Sequence, residues 1–444
     1  MIKIIKYYIL LILIIAPGIG LAALPEVKIV KIDDNIEAWT IEDNYLPIIS
    51  ARIAFKKAGY AYDPQERLGL AYLVSGMLDE GAGKYSAFEF KAKLEELAVK
   101  LSFDIDEENF YISLTSLTEN FQEAISILTT AITEPHFEEE ILTRIRNQIK
   151  TLILKQREDP EFLAEEALQK GFFGDHPYGR SDFGEISTLD LISEDDLKQF
   201  VKERFVADNI VVSIVGDIKN SDVPEYIKPL TDSLEKTGIS GELPDFKYPE
   251  EGRRISIKKD MPQSVVVFAM PGVLRSDPRF YPAYMMNHIL GGGGFESRLM
   301  KTIREKNGLA YSMYTTLGTL PKAAVLTGYF ATKNKTLEEA INLLKQEISD
   351  LKNGGVSLLE LKDTKDYMLN SFPIQLTKNS KLAYMVSKMQ LDNLGVNFLK
   401  YRDEFVKEVD INEVDRTAYE ILDVDKMIIV VVGGDDSTSK ADDK

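Results

Sequence analysis

The residues best suited to catalysis in this 444-residue chain are Arg304 and Tyr311, which lie seven positions apart in the segment Ile-Arg-Glu-Lys-Asn-Gly-Leu-Ala-Tyr-Ser. Arginine presents permanently charged donors in a fixed geometry, and tyrosine adds a neutral phenol donor. Two such groups could stabilise the negative charge that develops on a carbonyl oxygen during acyl transfer. The same residues could also be an ordinary surface arginine at a helix end and a strand tyrosine that packs against its neighbours.

A run of four glycines, Gly291, Gly292, Gly293 and Gly294, precedes this pair. It is not a nucleotide-binding loop, because no Gly-Lys-Ser/Thr follows it and no Gly-x-Gly-x-x-Gly follows a strand here. Glycines permit close backbone approach and unusual dihedral angles. The run is therefore either a flexible loop that contacts substrate or a tight connection between two helices.

A second segment is informative for what it lacks. Tyr72, Ser75 and Gly76 stand in the apolar stretch Gly-Leu-Ala-Tyr-Leu-Val-Ser-Gly-Met-Leu. This frame resembles the H-x-x-E-H helix of the pitrilysin/insulinase-type zinc peptidases, the inverted zincins, in which two His bind zinc and the Glu is the general base. Tyrosine and serine are poor zinc ligands, and glycine has no side chain. The family's distal Glu ligand falls on Ile153, so we expect no metal in this chain.

The resemblance continues in the second half of the chain. The glycine run and the segment around Arg304 and Tyr311 are similar to the C-terminal half of bacterial two-domain members of the family and of mitochondrial processing peptidase. The resemblance implies that Arg304 and Tyr311 lie opposite a zinc site and contact the substrate backbone and the oxyanion. The similar region extends from about Lys28 to Gly433 and includes His176-Pro-Tyr-Gly-Arg180.

The chain also repeats itself. Residues 123–128 match residues 339–344 at an offset of 216, and the stretch from Asp196 to Gly216 matches the stretch from Glu413 to Gly433 at 217. A shared offset indicates a duplicated unit of about 200 residues. We predict an α+β fold of two homologous α/β sandwich domains that form a half-chamber. The predicted divisions are 1–22, a signal peptide; 23–219, the N-terminal domain; 220–253, a linker; 254–433, the C-terminal domain; and 434–444, a disordered tail.

Local patterns predict the first unit's elements. They indicate a strand at 47–55, an apolar helix at 68–78, and a helix to residue 97 opened by the capping box Ser-Ala-Phe-Glu. Alternation at 110–115 indicates a half-buried strand, and Trp39 is expected in the same sheet. Further helices are predicted at 121–132, 138–155 and 195–205.

Net charge, the N-terminal segment and the absence of cysteine restrict the possible ligands and the compartment of this protein. The formal charge of −18 argues against binding to nucleic acid or anionic lipid. Lys3, Lys6, an apolar run and a small-residue cleavage site at Ala22 are typical of export to the periplasm, with an uncleaved membrane anchor as the alternative. Without cysteine the chain has neither disulfides nor thiolate metal sites. Its histidines, 136, 176 and 288, lack partners at metal spacing.

These observations favour a non-catalytic subunit of a periplasmic heterodimeric zinc metalloendopeptidase. A homologue with intact H-x-x-E-H would carry the zinc, and this chain would contribute Arg304 and Tyr311 in trans to a peptide or unfolded polypeptide substrate. Two alternatives stay open: a structural or assembly protein of the same fold, and a protein that clamps a peptide without cutting it.

Overall fold

The computed structural model describes residues 24–238 and 241–434. The expected signal peptide, 1–22, and the tail beyond residue 434 lie outside the described residues. Among the helices that are described, none is both long and apolar enough to cross a membrane.

The first unit is built on a six-stranded sheet with a small hairpin beside it. Its strands are β1 (Lys28–Lys31), β2 (Glu37–Glu42), β3 (Ile48–Lys56), β4 (Gly81–Ala82), β5 (Tyr85–Ser86), β6 (Lys100–Ile105), β7 (Asn109–Leu117) and β8 (Ile210–Gly216). Its helices are α1 (Leu70–Ser75), α2 (Ala87–Glu96), α3 (Phe121–Thr133), α4 (Glu139–Gln156), α5 (Pro160–Phe173), α6 (Ile186–Leu189), α7 (Glu194–Arg204) and α8 (Val223–Asp232).

The second unit has a five-stranded sheet. Its strands are β9 (Arg253–Ile257), β10 (Gln263–Pro271), β11 (Ala310–Thr319), β12 (Ala324–Lys333) and β13 (Ile428–Val432). Its helices are α9 (Phe280–Asn287), α10 (Leu337–Gly354), α11 (Leu358–Gln375), α12 (Asn379–Leu391), α13 (Phe398–Glu408) and α14 (Ile411–Ile421), and two π-helical turns span His288–Gly292 and Met300–Lys306.

The two sheets share one topology, which confirms the predicted α+β fold with a duplicated unit. The first sheet has the order β1-β2-β8-β3-β7-β6 and the second has the order β9-β13-β10-β12-β11. The pairs β2–β8 and β9–β13 are parallel, and the other neighbours in both sheets are antiparallel. Apart from β1, which has no counterpart, the strands agree in order and direction, so β3 corresponds to β10, β7 to β12, and β6 to β11.

Local signals in the sequence set several element boundaries. The Ser86 hydroxyl accepts the Glu89 backbone N–H and the Glu89 carboxylate accepts the Ser86 N–H, which is the predicted capping box of α2. The predicted apolar helix at 68–78 forms as α1 over six residues only, since Gly76 ends it in a turn.

Each unit contributes one helix that packs on the sheet of the other unit. On one face, each sheet packs against its own unit's helices; we call the opposite face the outer face. Helix α5 packs with Ala164, Leu168 and Phe172 on the outer face of the second sheet, and α12 packs on the outer face of the first. The strand predicted at 110–115 forms within β7, and Ser113 and Thr115 are partly exposed as expected. Tyr111 departs from the expectation, because α12 covers the outer face there and leaves Tyr111 only 4% exposed next to Leu391.

The segment 220–253 begins with regular structure. Helix α8 occupies residues 223–232 and buries Val223, Ile227 and Leu230 in the core of the first unit. From residue 241 to 252 the chain has no helix or strand and reaches β9 at Arg253. The part of this segment that crosses between the sheets is therefore its second half.

Candidate functional site

The degenerate metal positions lie where helix α1 meets helix α4. Helix α1 begins after Gly69, whose φ of 93° requires glycine, and the Asp63 carboxylate accepts the N–H groups of Gly69 and Ala71 at 3.0 and 3.1 Å. Burial raises the pKa of Asp63 to about 7, in opposition to these hydrogen bonds. At Gly76, an added Cβ would lie 3.5 Å from Ile145 of α4, which is ordinary contact.

Contacts within the fold engage three of the four degenerate positions, Tyr72, Ser75 and Ile153. The Tyr72 ring meets Phe183 edge-on, with centroids 4.7 Å apart, and burial raises the pKa of its phenol. A phenolate is therefore not available there near neutral pH. The Ser75 hydroxyl donates to the Tyr72 carbonyl at 2.8 Å, and Ile153 is 4% exposed in the core of the first unit. Across the described ranges, no three His, Asp or Glu side chains are grouped so that they could hold a metal ion.

Arg304 and Tyr311 lie together on the surface of the second unit. Arg304 is on the π-helical turn, and its guanidinium carbon lies 4.5 Å from the Phe295 ring centroid and 5.3 Å from that of Tyr311. Tyr311 is 85% and Phe295 60% exposed. In the part of the chain that the structure describes, Arg304 has no ion pair or side-chain hydrogen bond, so its donors are open to solvent.

A bulge in β11 explains the exposure of Tyr311. The pairing of β11 with β12 shifts register between Ala310 and Met313, so Tyr311 and Ser312 leave the ladder. A bulge of this kind re-aims side chains at sheet edges. On the inner side, Ile303 is fully buried and its carbonyl accepts the Leu309 N–H at 2.9 Å. The turn that carries Arg304 is thus fixed to the strand that carries Tyr311.

The glycine run is packed tightly for most of its length. A Cβ on Gly291 would come within 2.5 Å of the Thr315 hydroxyl on β11, and those on Gly292 and Gly293 would come within 2.9 and 2.8 Å of Asn287 and His288. Only Gly294, with φ of +59°, faces open space. Close contacts require glycine at 291 and 293, whereas Gly292 meets chiefly the movable amide end of Asn287, and the exposed tip of the loop is Gly294 with Phe295.

Two further pairs anchor this region. Arg298 makes a bidentate ion pair with Glu360 of α11, with Nε–Oε1 at 2.6 Å and Nη2–Oε2 at 2.8 Å. The His288 ring stacks on Tyr367 at 4.7 Å, and burial lowers its pKa. Sequence reasoning missed the roles of Phe295, Phe183 and Asp63, because each depends on a tertiary contact that leaves no local motif.

The histidines at 136 and 176 have backbone partners. One imidazole nitrogen, Nε2 of His136, lies 2.8 Å from the Gly83 carbonyl oxygen. In His176, Nδ1 accepts the Tyr178 N–H and Nε2 donates to the Pro244 carbonyl. His136 thus joins two loops of the first unit, and His176 joins its loop to the segment that crosses between the sheets.

Comparison with known proteins matches both units to one family. Residues 42–185 match the model described as Insulinase (Peptidase family M16), and residues 191–368 match Peptidase M16 inactive domain. A Helicobacter pylori protein named Non-peptidase homolog YmxG is 30% identical over 336 residues, which are 75% of this chain and 77% of that protein. An uncharacterized zinc protease YmxG of Bacillus subtilis is 24% identical over 81% of this chain and 86% of its own length.

Solved structures show the same fold. A Pseudomonas fluorescens structure titled as a peptidase M16 inactive domain has a TM-score of 0.87 and 25% identity, and it covers 92% of this chain and 98% of its own. A Helicobacter pylori protease has a TM-score of 0.82 at 16% identity, with 92% of this chain and all of its own chain covered.

Proposed function

The chain belongs to peptidase family M16, and we propose that it is the non-catalytic, substrate-binding subunit of a heterodimeric zinc metallopeptidase. A partner with intact H-x-x-E-H would hold the zinc and the general base. This chain would supply Arg304 and Tyr311 in trans across a shared chamber. It has lost the four positions needed for metal and base, so peptide hydrolysis by this chain alone is not expected.

The observation that carries the proposal is the unpaired guanidinium of Arg304 beside an exposed phenol. An arginine kept for stability normally packs its stem or meets an acid, whereas Arg304 lies between two exposed rings with its donors free. Such donors can hydrogen-bond a peptide carbonyl oxygen, and these hydrogen bonds become stronger as that oxygen gains negative charge in the transition state. The lost zinc positions and the open Arg/Tyr pair together favour a subunit that binds what a partner cuts.

The test is steady-state kinetics on the reconstituted pair, after co-purification of this chain with an H-x-x-E-H homologue from the same cells. Arg304→Ala and Tyr311→Phe should each lower kcat by about 10²–10³, the usual cost of one oxyanion donor. Lys306→Ala, an exposed cation on the same turn, is the matched control and should leave kcat unchanged. Gel filtration should show intact association for all three variants.

Two alternative functions give different outcomes. Unchanged turnover in both variants would favour a structural or assembly role. Peptide binding by the isolated chain, with no H-x-x-E-H partner found by co-purification, would favour a clamp that holds a peptide without cleavage. An adjacent gene for an intact homologue would support the heterodimer.

The proposed compartment is the periplasm, reached through a cleavable signal in residues 1–22. N-terminal sequencing of the mature protein should then begin at Ala23. A chain that retains Met1 and sediments with membranes would support the N-terminal anchor instead.

A further inference from the structure

A cavity of about 590 Å³ lies between the two units, beside the exchanged helix α5. Its floor is the part of the second sheet's outer face that α5 leaves uncovered, with Tyr314 and Tyr329 stacked at 5.4 Å. Its opposite wall includes Phe183, the same ring that packs against Tyr72. The volume falls within the range of small-ligand sites.

Five acidic residues line this cavity: Asp106, Glu107, Glu165, Glu166 and Asp182. Glu107, Glu165 and Asp182 come from three different segments, and none forms an ion pair within residues 24–238 and 241–434. Burial raises the pKa of each, and neighbouring acids raise the pKa of Glu107 and Glu165 further. A cation placed among them would be stabilised by charge and by the aromatic faces.

The duplicated fold shows what occupies the corresponding place in the first unit. Across the first sheet, Arg52 of β3 pairs with Ser113 of β7 and Ser213 of β8. At the same register in the second sheet, Val267 of β10 pairs with Tyr329 of β12 and with residue 430 of β13. Arg52 and Val267 are thus equivalent positions on the two outer faces.

In the first unit this place holds a guanidinium from the chain itself. The Arg52 group lies 4.3 Å from the Tyr111 ring centroid and 5.0 Å from that of Tyr384 on α12, and it donates to the Ser113 hydroxyl at 2.8 Å. Tyr384 is the sixth residue of α12, and the sixth residue of α5 is Glu165. The second unit therefore has tyrosines and acids in the equivalent place, but a valine where the first unit has its cation.

We propose that the cavity binds an organic cation, a guanidinium or an ammonium group, in the place that Arg52 fills in the other unit. The group can come from a basic peptide side chain or from a free polyamine. The carboxylates of Glu107, Glu165 and Asp182 neutralise its charge, and Tyr314 and Tyr329 contact its flat or methylene surface. The site belongs to this chain alone, so it does not depend on a catalytic partner.

Calorimetry on the isolated full chain tests the site with three probes. They are acetyl-Gly-Arg-Gly-amide, the same peptide with neutral citrulline in place of arginine, and spermidine. We expect the arginine peptide or spermidine to bind, and the citrulline peptide to bind at least tenfold more weakly. The stronger of the two cations identifies the source. No binding of either cation, or equal binding of the citrulline peptide, would overturn the proposal.

Substitutions of the acidic residues test whether the cation binds in this cavity. Glu165→Gln and Asp182→Asn should each weaken cation binding about tenfold, because each removes one charge that faces the ligand. Glu140→Gln, an exposed acid on α4 outside the cavity, makes the same change in net charge and should leave binding unchanged. Equal affinity in all three variants would overturn the proposal. Because no partner or cleavage is involved, this result is independent of the test for trans catalysis.

A variant that supplies its own cation gives a second measurement. Val267→Arg places in the cavity the side chain that the first unit already has, and it should abolish binding of the external cation. If that buried substitution prevents folding, the two acid variants still decide the question.

Discussion

The ion pair between Arg298 and Glu360 offers the sharpest test of how the candidate site is held in place. The Glu360 carboxylate accepts two bonds from Arg298 and two more from the backbone and hydroxyl of Ser357, each between 2.6 and 2.8 Å. The Arg298 hydrogen bond is the main cause that lowers the pKa of Glu360, to about 2. Removing the charge by Glu360→Gln should destabilise the protein at neutral pH.

The size of the effect follows from the pKa. The difference from 4.5 to about 2 corresponds to roughly 3.4 kcal/mol at most. The Glu360 side chain is 31% exposed, so solvent screening reduces the expected loss to about 2 kcal/mol. The folded-state pKa of Glu360 lies below the unfolded one. This stabilisation is therefore present above about pH 4.5 and is lost as the pH falls towards 2.

Urea unfolding at several pH values measures the contribution of the Glu360 charge to the free energy of unfolding. The free-energy difference between wild type and Glu360→Gln should be about 2 kcal/mol at pH 7 and less than half of that at pH 3. Glu404→Gln, an exposed acid on α13, is the control and should change stability by less than about 0.5 kcal/mol. A difference that stays constant from pH 7 to pH 2.5 would refute the reasoning, since it would mean that the charge of Glu360 contributes nothing.

Three further outcomes are expected. The purified chain should hold far less than one zinc per molecule by metal analysis, and one tightly bound zinc would contradict the site as described. The triple variant Tyr72→His, Ser75→Glu, Gly76→His should fold, because a Cβ at position 76 makes only ordinary contacts, yet it should bind zinc weakly without a third protein ligand. Hydrolysis as fast as that of an intact family member would be the contrary result. Phe172→Ala in α5 should cost about 3–5 kcal/mol by calorimetry and shift one common unfolding transition of both units, whereas a shift confined to one of two separate transitions would contradict the exchange.

The sequence predicted the duplicated α+β fold because its signals are local or repeated. The Ser86 capping box, the spacing of matched helices and the apolar strands each depend on neighbours in the chain. The helix exchange was not predicted, although the continuous apolar run Val265–Met270 is typical of a strand buried on both faces.

The candidate site was predictable only as a set of residue types. The proximity of Arg304 to Tyr311 rests on a register shift in β11, and a bulge leaves no clear signal in one sequence. The contact between Arg304 and Phe295 depends on how the glycine run packs against Thr315. The inter-unit cavity depends on which part of a sheet a distant helix leaves uncovered, and periodicity cannot show that.

The reciprocal placement of α5 and α12 makes the two halves of this protein interdependent in folding. A fragment cut within 241–252 would carry α5 away from the sheet that it covers, and the apolar outer face of the second unit would meet water. Each fragment would be a monomer only at the cost of an exposed sheet face, so the two should reassociate as complementary halves.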